Sequence, residues 1–387
     1  MSAPSSTRTV RIWRTGPSPT TTSVASSETC LPEDLIKYLG SKRRLVPTLS
    51  TIAAAAEART AVDLFTGTTR VAQAFKQVGA HVTAVDSARY AATFARCYIE
   101  TDAASVDVAG LESIIAGLND LRGTRGYVTE VFCEQARFFQ PANGARIDAI
   151  RDAIARQWAG SEVEPILLTS LIEAADRVDS TTGVQMAYVK QWADRSHQPL
   201  KLRVPELLPG RGRAVLGDAV DVAATLGSVD LAYLDPPYNQ HRYTANYHVW
   251  ETITAWDAPV HYGVACKRAD LRDASTRSAF NARREMPIAL RQAIDALDAR
   301  LLVVSCSNEG WVTVDDLREW CVSHGHTEVL GFDSRRYVGA QIGVFNPRGD
   351  RVSEPTHLHN VEYLVLCGER ELVERCVAEV RASAVPV

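Results

Sequence analysis

TAVDLFTGTTRVA, residues 60–72, reads as the end of one fold element and the start of another. Ala61, Val62, Leu64 and Phe65 form a largely apolar run of strand length, and residues 71–78 fit an amphipathic helix. Between them Gly67 lets the backbone turn tightly and approach a ligand. The next strand-like run, HVTAVD (residues 81–86), closes on Asp86, 19 positions beyond Gly67. A glycine turn followed by an acid at the end of the second strand is the layout of a nucleotide-type site, where the carboxylate accepts hydrogen bonds from two ribose hydroxyls. The GxGxxG pattern of a pyrophosphate cradle is absent. A ligand with a ribose but no phosphate, such as S-adenosylmethionine, suits the turn better.

The alternation continues outward from that turn. Residues 213–218, 229–235, 300–306, 327–333 and 361–367 are strand-like, while 88–100, 314–323 and 371–380 are helix-like. Strands alternating with helices predict an α/β fold with a mostly parallel sheet covered on both faces. Residues 101–212 break the rhythm with helical patterning alone, which predicts an inserted, mainly helical domain. The expected division is a disordered tail (1–32), a cofactor-binding part (33–100), the insertion (101–212) and a second catalytic part (213–387).

Bulk properties narrow the function classes. The 387 residues are 46% apolar and 23% charged, enough for one large domain with an insertion. The net charge of −4 means that a nucleic-acid partner needs a local basic face. Eight cysteines occur without a CxxC pair, as in a reduced, intracellular protein. Cys321, His324 and His326 lie close in sequence but lack an obvious fourth ligand, so no metal is expected. No apolar run reaches the ~18 residues of a membrane span. The first 27 residues are rich in Ser, Thr and Pro, carry Arg8, Arg11 and Arg14, and lack the apolar core of a secretory signal.

A second stretch, LAYLDPPYNQ (residues 231–240), places chemistry on this frame. Leu231–Leu234 reads as a buried strand that stops at Asp235, Pro236, Pro237 and Tyr238. Methylation of an exocyclic amino group needs such a corner. The amino nitrogen of adenine is a poor nucleophile because its lone pair is delocalised into the ring. A carboxylate and a backbone carbonyl, each accepting one N–H, free that lone pair. The carbonyl before a second proline is held firmly, and an aromatic face can stack on a base taken out of its helix.

These segments resemble the Dam-like family of DNA adenine-N6 methyltransferases whose cofactor motifs precede target recognition and whose DPPY motif follows it. KYLGSKRRL (37–45), DLFTGTTRVA (63–72), VDSARYA (85–91), LDPPYNQHRYTANYH (234–248), VVSCSNEG (303–310) and YVGAQIGVFNPRG (337–349) carry the resemblance in order over residues 36–368. It implies a class I S-adenosylmethionine-dependent methyltransferase fold, Rossmann-like with a mostly parallel seven-stranded sheet and an inserted target-recognition domain. Tyr38, Lys42, Phe65, Gly67, Asp86, Asp218 and Asp235 are then implied around the cofactor, with S-adenosylhomocysteine as product. Asp235, Pro236, Pro237 and Tyr238 are implied in catalysis. The family usually has a second glycine where this chain has Thr69, which puts cofactor affinity in question.

The implied partner is double-stranded DNA, together with a cognate restriction endonuclease linked genetically rather than physically. The implied location is the nucleoid of a prokaryotic cytoplasm. Asn239, Arg242, Tyr243, Asn246 and Tyr247, with His241 and His248, are expected to hold a flipped base and the gap it leaves. Arg122, Arg125, Arg137, Lys190, Lys201, Arg203, Arg211 and Arg213 are candidates for phosphate contact, as are Arg335, Arg336, Arg348 and Arg351. Methylation of RNA adenine or of cytosine N4, and a non-catalytic DNA-binding relative, stay open as alternatives at this stage.

Overall fold

A computed structural model of the chain describes residues 11–14, 36–38, 40, 42–189, 191–238, 242–273, 276–335, 344–345, 351–353 and 359–383. Its main sheet has eight strands: β1 (Arg11–Arg14), β2 (Thr60–Asp63), β3 (His81–Asp86), β4 (Arg213–Leu216), β5 (Val229–Leu234), β6 (Ala299–Ser307), β7 (His326–Arg335) and β8 (His359–Gly368). Their order across the sheet is β1-β7-β8-β6-β5-β2-β3-β4. Only β8 is antiparallel to its neighbours, β6 and β7. Strands β2 to β8 make the expected seven-stranded, mostly parallel sheet of a class I methyltransferase fold. The eighth, β1, lies inside the stretch read from composition as a disordered tail and runs parallel to β7.

Burial on both faces explains why these strands look continuously apolar. Ala61, Leu231, Tyr233, Leu301 and Val303 enter one core, while Val62, Ala232, Leu234, Leu302 and Val304 enter the other. Neighbouring residues of one strand thus serve opposite layers. Helices α1 (Val46–Ala55), α2 (Arg70–Gln77) and α3 (Arg89–Ala95) contribute Leu49, Phe75 and Phe94 to the first core.

The insertion is helical: α4 (Val108–Asp120), a π-helical turn (Val128–Gln135), α5 (Pro141–Gln157) and α6 (Glu164–Arg177). Its Leu111, Phe132, Ile150 and Leu171 join the same buried cluster as Ala61 and Leu231. Asp148 on α5 holds the start of the π-helical turn by accepting from the backbone N–H groups of Gly126, Val128 and Thr129 at 3.0, 2.8 and 2.8 Å. Arg151, one turn on, donates to the carbonyls of Ile253 (2.7 Å) and Thr254 (3.2 Å). Those carbonyls end helix His248–Ala255, where a cation complements unpaired C=O groups. No helix among the described residues is long and apolar enough to cross a membrane.

The sheet order reverses between β2 and β5: the chain runs outward through β3 and β4, then returns to the other side of β2. Crevices at such reversals collect ligands at the carboxyl ends of the strands. Asp63, Asp86 and Asp235 all lie at that edge.

Candidate active site

The turn after β2 is positioned by its neighbours. Leu64 N donates to Tyr233 O at 3.1 Å and Thr66 N to Val85 O at 2.9 Å, steering the chain from β5 towards β3. Gly67 follows at φ +50°, and its N–H donates to Asp86 Oδ2 at 2.9 Å. Ala88 N donates to the other oxygen, also at 2.9 Å. Each oxygen of Asp86 keeps lone-pair capacity for one further donor. Burial pushes the Asp86 carboxyl above its ordinary pKa, and these backbone donors partly offset it.

A Cβ added at Gly67 would lie 3.1 Å from the Tyr38 ring. Gly67→Ala should therefore weaken binding of labelled S-adenosylmethionine about ten-fold, through left-handed strain and displacement of Tyr38. An unchanged dissociation constant in equilibrium dialysis would exclude this turn as the cradle. Thr69, at the family's second glycine position, sits in the left-handed region at φ +62°. Glycine accepts this conformation without penalty. Here the Thr69 hydroxyl donates to Thr68 O at 2.7 Å and accepts from Gln73 Nε2 at 2.9 Å, holding the strained residue in a fully buried position.

Tyr38 forms one wall of the site. Its ring stacks on Tyr247 (centroids 4.7 Å) and Tyr243 (5.3 Å), and its hydroxyl meets Tyr90 Oη at 3.2 Å. Phe65 meets Phe280 edge-on at 4.8 Å. Asp218 caps the short helix Ala219–Ala223 by accepting from Val220 N at 2.9 Å. Gly217 N donates to Asp86 O at 3.0 Å, which brings the Asp218 turn beside the ribose-acid candidate.

Asp235 follows β5 directly and is part of a buried charge network. Lys42 Nζ lies 3.2 Å from Asp235 Oδ1 and 3.2 Å from Glu362 Oε1, and donates to Tyr238 Oη at 2.7 Å. The same ammonium sits 4.6 Å from the centre of the Tyr238 ring. Tyr238 Oη donates to Asp235 Oδ1 at 2.5 Å and meets Ser305 Oγ at 2.8 Å. Burial lowers the pKa of Lys42, but Asp235 and Glu362 outweigh that and leave it raised. Burial raises the Asp235 carboxyl, while Lys42 and Tyr238 pull it back towards ionisation. Asp63, buried beneath, is pushed up to about 7, mainly by desolvation, with Asp235 adding to the effect.

The structure thus gathers Tyr38, Lys42, Phe65, Gly67, Asp86, Asp218 and Asp235–Tyr238 at one edge of the sheet. The expected DNA-facing loop needs correction. Asn246 and Tyr247 are buried, 3% and 0% exposed, and Asn246 O accepts from Gln185 N at 2.7 Å. His248 is equally buried, and its pKa falls to about 3 through desolvation. Tyr247 is buried because its ring stacks under Tyr38, while His248 packs edge-on against Phe132 and Phe138, each at 5.7 Å, and meets Gln185 O at 2.9 Å.

Arg242 and Tyr243 remain half-exposed, whereas Asn239 and His241 lie outside the described residues. Arg125 is committed to Glu134 (2.8 and 3.0 Å) and Glu130. Arg137 stacks on Trp192 at 4.6 Å. Lys201, Arg211 and Arg213 are exposed; Lys190, Arg336 and Arg348 lie outside the described residues, as do the side chains of Arg335 and Arg351. His324 Nε2 meets Ile294 O at 2.9 Å, and His326 Nε2 lies 3.3 Å from Glu328 Oε1.

Ser305 and Glu362 were not singled out from sequence. Both lie inside apolar runs, VVSCS and VEYLVLC, where the only signal was a polar residue facing the wrong environment.

A family model described as D12 class N6 adenine-specific DNA methyltransferase matches residues 38–319. The Type II methyltransferase M.NlaIII of Neisseria lactamica is 28% identical over 84% of this chain and 98% of its own length. The Type II methyltransferase M.FokI of Planomicrobium okeanokoites is 27% identical over 76% of this chain, which spans 48% of that protein. M.CviAII of Paramecium bursaria Chlorella virus 1 is 31% identical over 60% of this chain and 71% of its own length.

Proposed function

The chain belongs to the D12 class of N6 adenine-specific DNA methyltransferases, and from that premise we propose that it moves a methyl group from S-adenosylmethionine to the exocyclic N6 of an adenine turned out of duplex DNA. The observation that carries this reading is the position of Asp235. Its carboxylate is held by Lys42 and Tyr238 at the reversal of the sheet, one strand away from the Gly67–Asp86 turn.

The residues present fit the cofactor. Gly67 leaves a cradle that a Cβ would fill, and Asp86 retains lone pairs for two ribose hydroxyls. Tyr38 and Phe65 flank the turn, and Asp218 stands near Asp86 for the adenine end. When bound, S-adenosylmethionine supplies an electrophilic methyl on a sulfonium sulfur and leaves as S-adenosylhomocysteine.

Asp235 and the carbonyl of Pro236 each accept one N–H of the target amine, drawing it towards tetrahedral geometry. Pro237 fixes that carbonyl, and Tyr238 offers its ring to the base. Tyr238 Oη must release Asp235 as the amine enters, passing to Ser305. Lys42 keeps Asp235 ionised, and Glu362 keeps Lys42 in place. The N6 lone pair forms the new N–C bond, and the proton that N6 then loses passes through Asp235 to water.

The relatives' description as Type II methyltransferases is compatible with a role beside a genetically linked restriction endonuclease; action on nucleoid DNA in the cytoplasm is part of the same proposal. Purified protein with labelled S-adenosylmethionine and mixed-sequence duplex DNA should place label on N6-methyladenine. Label in RNA alone, or on cytosine, would overturn the proposal. Modification-sensitive sequencing of the product gives the recognition sequence.

A further inference from the structure

An acidic enzyme acting on DNA needs a local basic face, and the insertion is a poor source of one. Residues 101–212 carry twelve Lys and Arg against fifteen Asp and Glu, a net −3. Residues 257–285, which follow the catalytic corner, carry six Lys and Arg against four Asp and Glu, a net +2. The sign of the field therefore points away from the insertion and towards this shorter segment.

The segment is anchored to the catalytic corner twice. Arg242, four residues beyond Tyr238, donates to Leu271 O at 2.9 Å. Phe280, 2% exposed, packs edge-on against Phe65 of the cofactor turn at 4.8 Å. Its hairpin, pairing His261–Tyr262 with Lys267–Arg268, is held from inside by Arg268. That buried guanidinium pairs with Asp257 at 2.6 Å and Asp270 at 2.7 Å. Two of the segment's four carboxylates are thereby used within it.

Arg272, Arg277, Arg283 and Arg284 are exposed and have no carboxylate within ion-pair distance among the described residues. Arg272 is next to the Leu271 anchor. Arg277 and Arg283 are each three residues from Phe280, so their Cα atoms lie within about 11 Å of it. The two most exposed large apolar side chains among the described residues, Val260 (79%) and Val264 (77%), belong to the same segment. Arg272 lies over the Tyr262 ring of the same segment at 3.7 Å. Apolar tips beside exposed arginines suit a nucleic-acid surface, where cations meet phosphates and small apolar groups pack on sugars or between base steps.

We infer that residues 257–273 and 276–285 form a docking arm for the phosphate backbone of duplex DNA, delivering the target to the Asp235 corner. The inference rests on the methyltransferase reading for the identity of the partner. The test compares the full-length protein with the triple variants Arg277→Ala/Arg283→Ala/Arg284→Ala and Arg277→Lys/Arg283→Lys/Arg284→Lys. A control carries Arg122→Ala and Arg211→Ala in the insertion.

Binding of a labelled random-sequence duplex is followed from 50 to 300 mM KCl, with label transfer to mixed-sequence DNA measured alongside. The alanine triple should lose about two to three units of salt slope and bind about ten- to hundred-fold more weakly, with the lysine triple restoring most of both. The insertion control should keep its slope within about one unit. An alanine triple with wild-type affinity and slope would overturn the arm, and so would loss of slope in the insertion control alone. Salt-steep binding that needs the arm, without any transfer of label by the wild type, would instead overturn the methyltransferase reading and leave the arm standing.

Discussion

Asp235→Ala should lower the rate of methyl transfer by about 10³-fold while leaving binding of S-adenosylmethionine and of duplex DNA within a few-fold of wild type. A preorganised hydrogen-bonding group aimed at the reacting atom is worth about that much in rate. The effect belongs in kcat because the proposed role of the carboxylate is on the amine as its lone pair is freed, whereas the proposed cofactor contacts are those of Gly67, Asp86 and Tyr38. Asp235→Asn keeps one acceptor oxygen but loses the ionic hold on Lys42, so its rate should fall between the two. Single-turnover transfer with saturating DNA is the decisive measurement. A rate within ten-fold of wild type for the alanine variant would remove Asp235 from the reaction.

Lys42→Met and Glu362→Gln should move the acid limb of the kcat profile in opposite directions. Asp235 accepts an N–H most strongly when ionised, so activity falls as pH drops through its pKa. Lys42 lowers that pKa from 3.2 Å away, and Glu362 raises it as a like charge. Removing the lysine therefore shifts the limb to higher pH, as loss of a close opposite charge requires. Neutralising Glu362 shifts it to lower pH by a smaller amount. The lysine variant should also be less stable, since two partly buried carboxylates lose their shared buried cation; the loss should stay below the ~3–5 kcal/mol usual for breaking a fully buried pair. A structural role for the network would lower rate in both variants with no movement of the limb. Profiles from pH 5 to 9 that move together, or not at all, would exclude the electrostatic assignment.

Local grammar made much of the site readable in one dimension. Gly67, Asp86, Asp235 and Tyr238 sit at ends of apolar runs, and a strand end is both a backbone discontinuity and a point where a side chain reaches the sheet edge. The same logic misplaced Asn246, Tyr247 and His248. A cluster of polar and aromatic residues after a catalytic loop looks like a binding surface, yet aromatic rings bury readily when partners stand nearby. The partners here are Tyr38, 209 positions before Tyr247, and Gln185 in the insertion. Distance along the chain hides such contacts from any local pattern.

Sequence alone determined the alternation of strands and helices, the glycine turn, the acid Asp86 at a strand end and the DPPY corner, because each depends on side-chain period or backbone restriction within a few residues. Only the tertiary structure decided which groups complete the corner. Ser305 and Glu362 come from two strands, β6 and β8, and reach Tyr238 and Lys42 because the antiparallel β8 is inserted beside β6. A salt bridge spanning 320 positions has no period to read. It exists because a buried cation must find its counter-charges wherever the sheet order puts them.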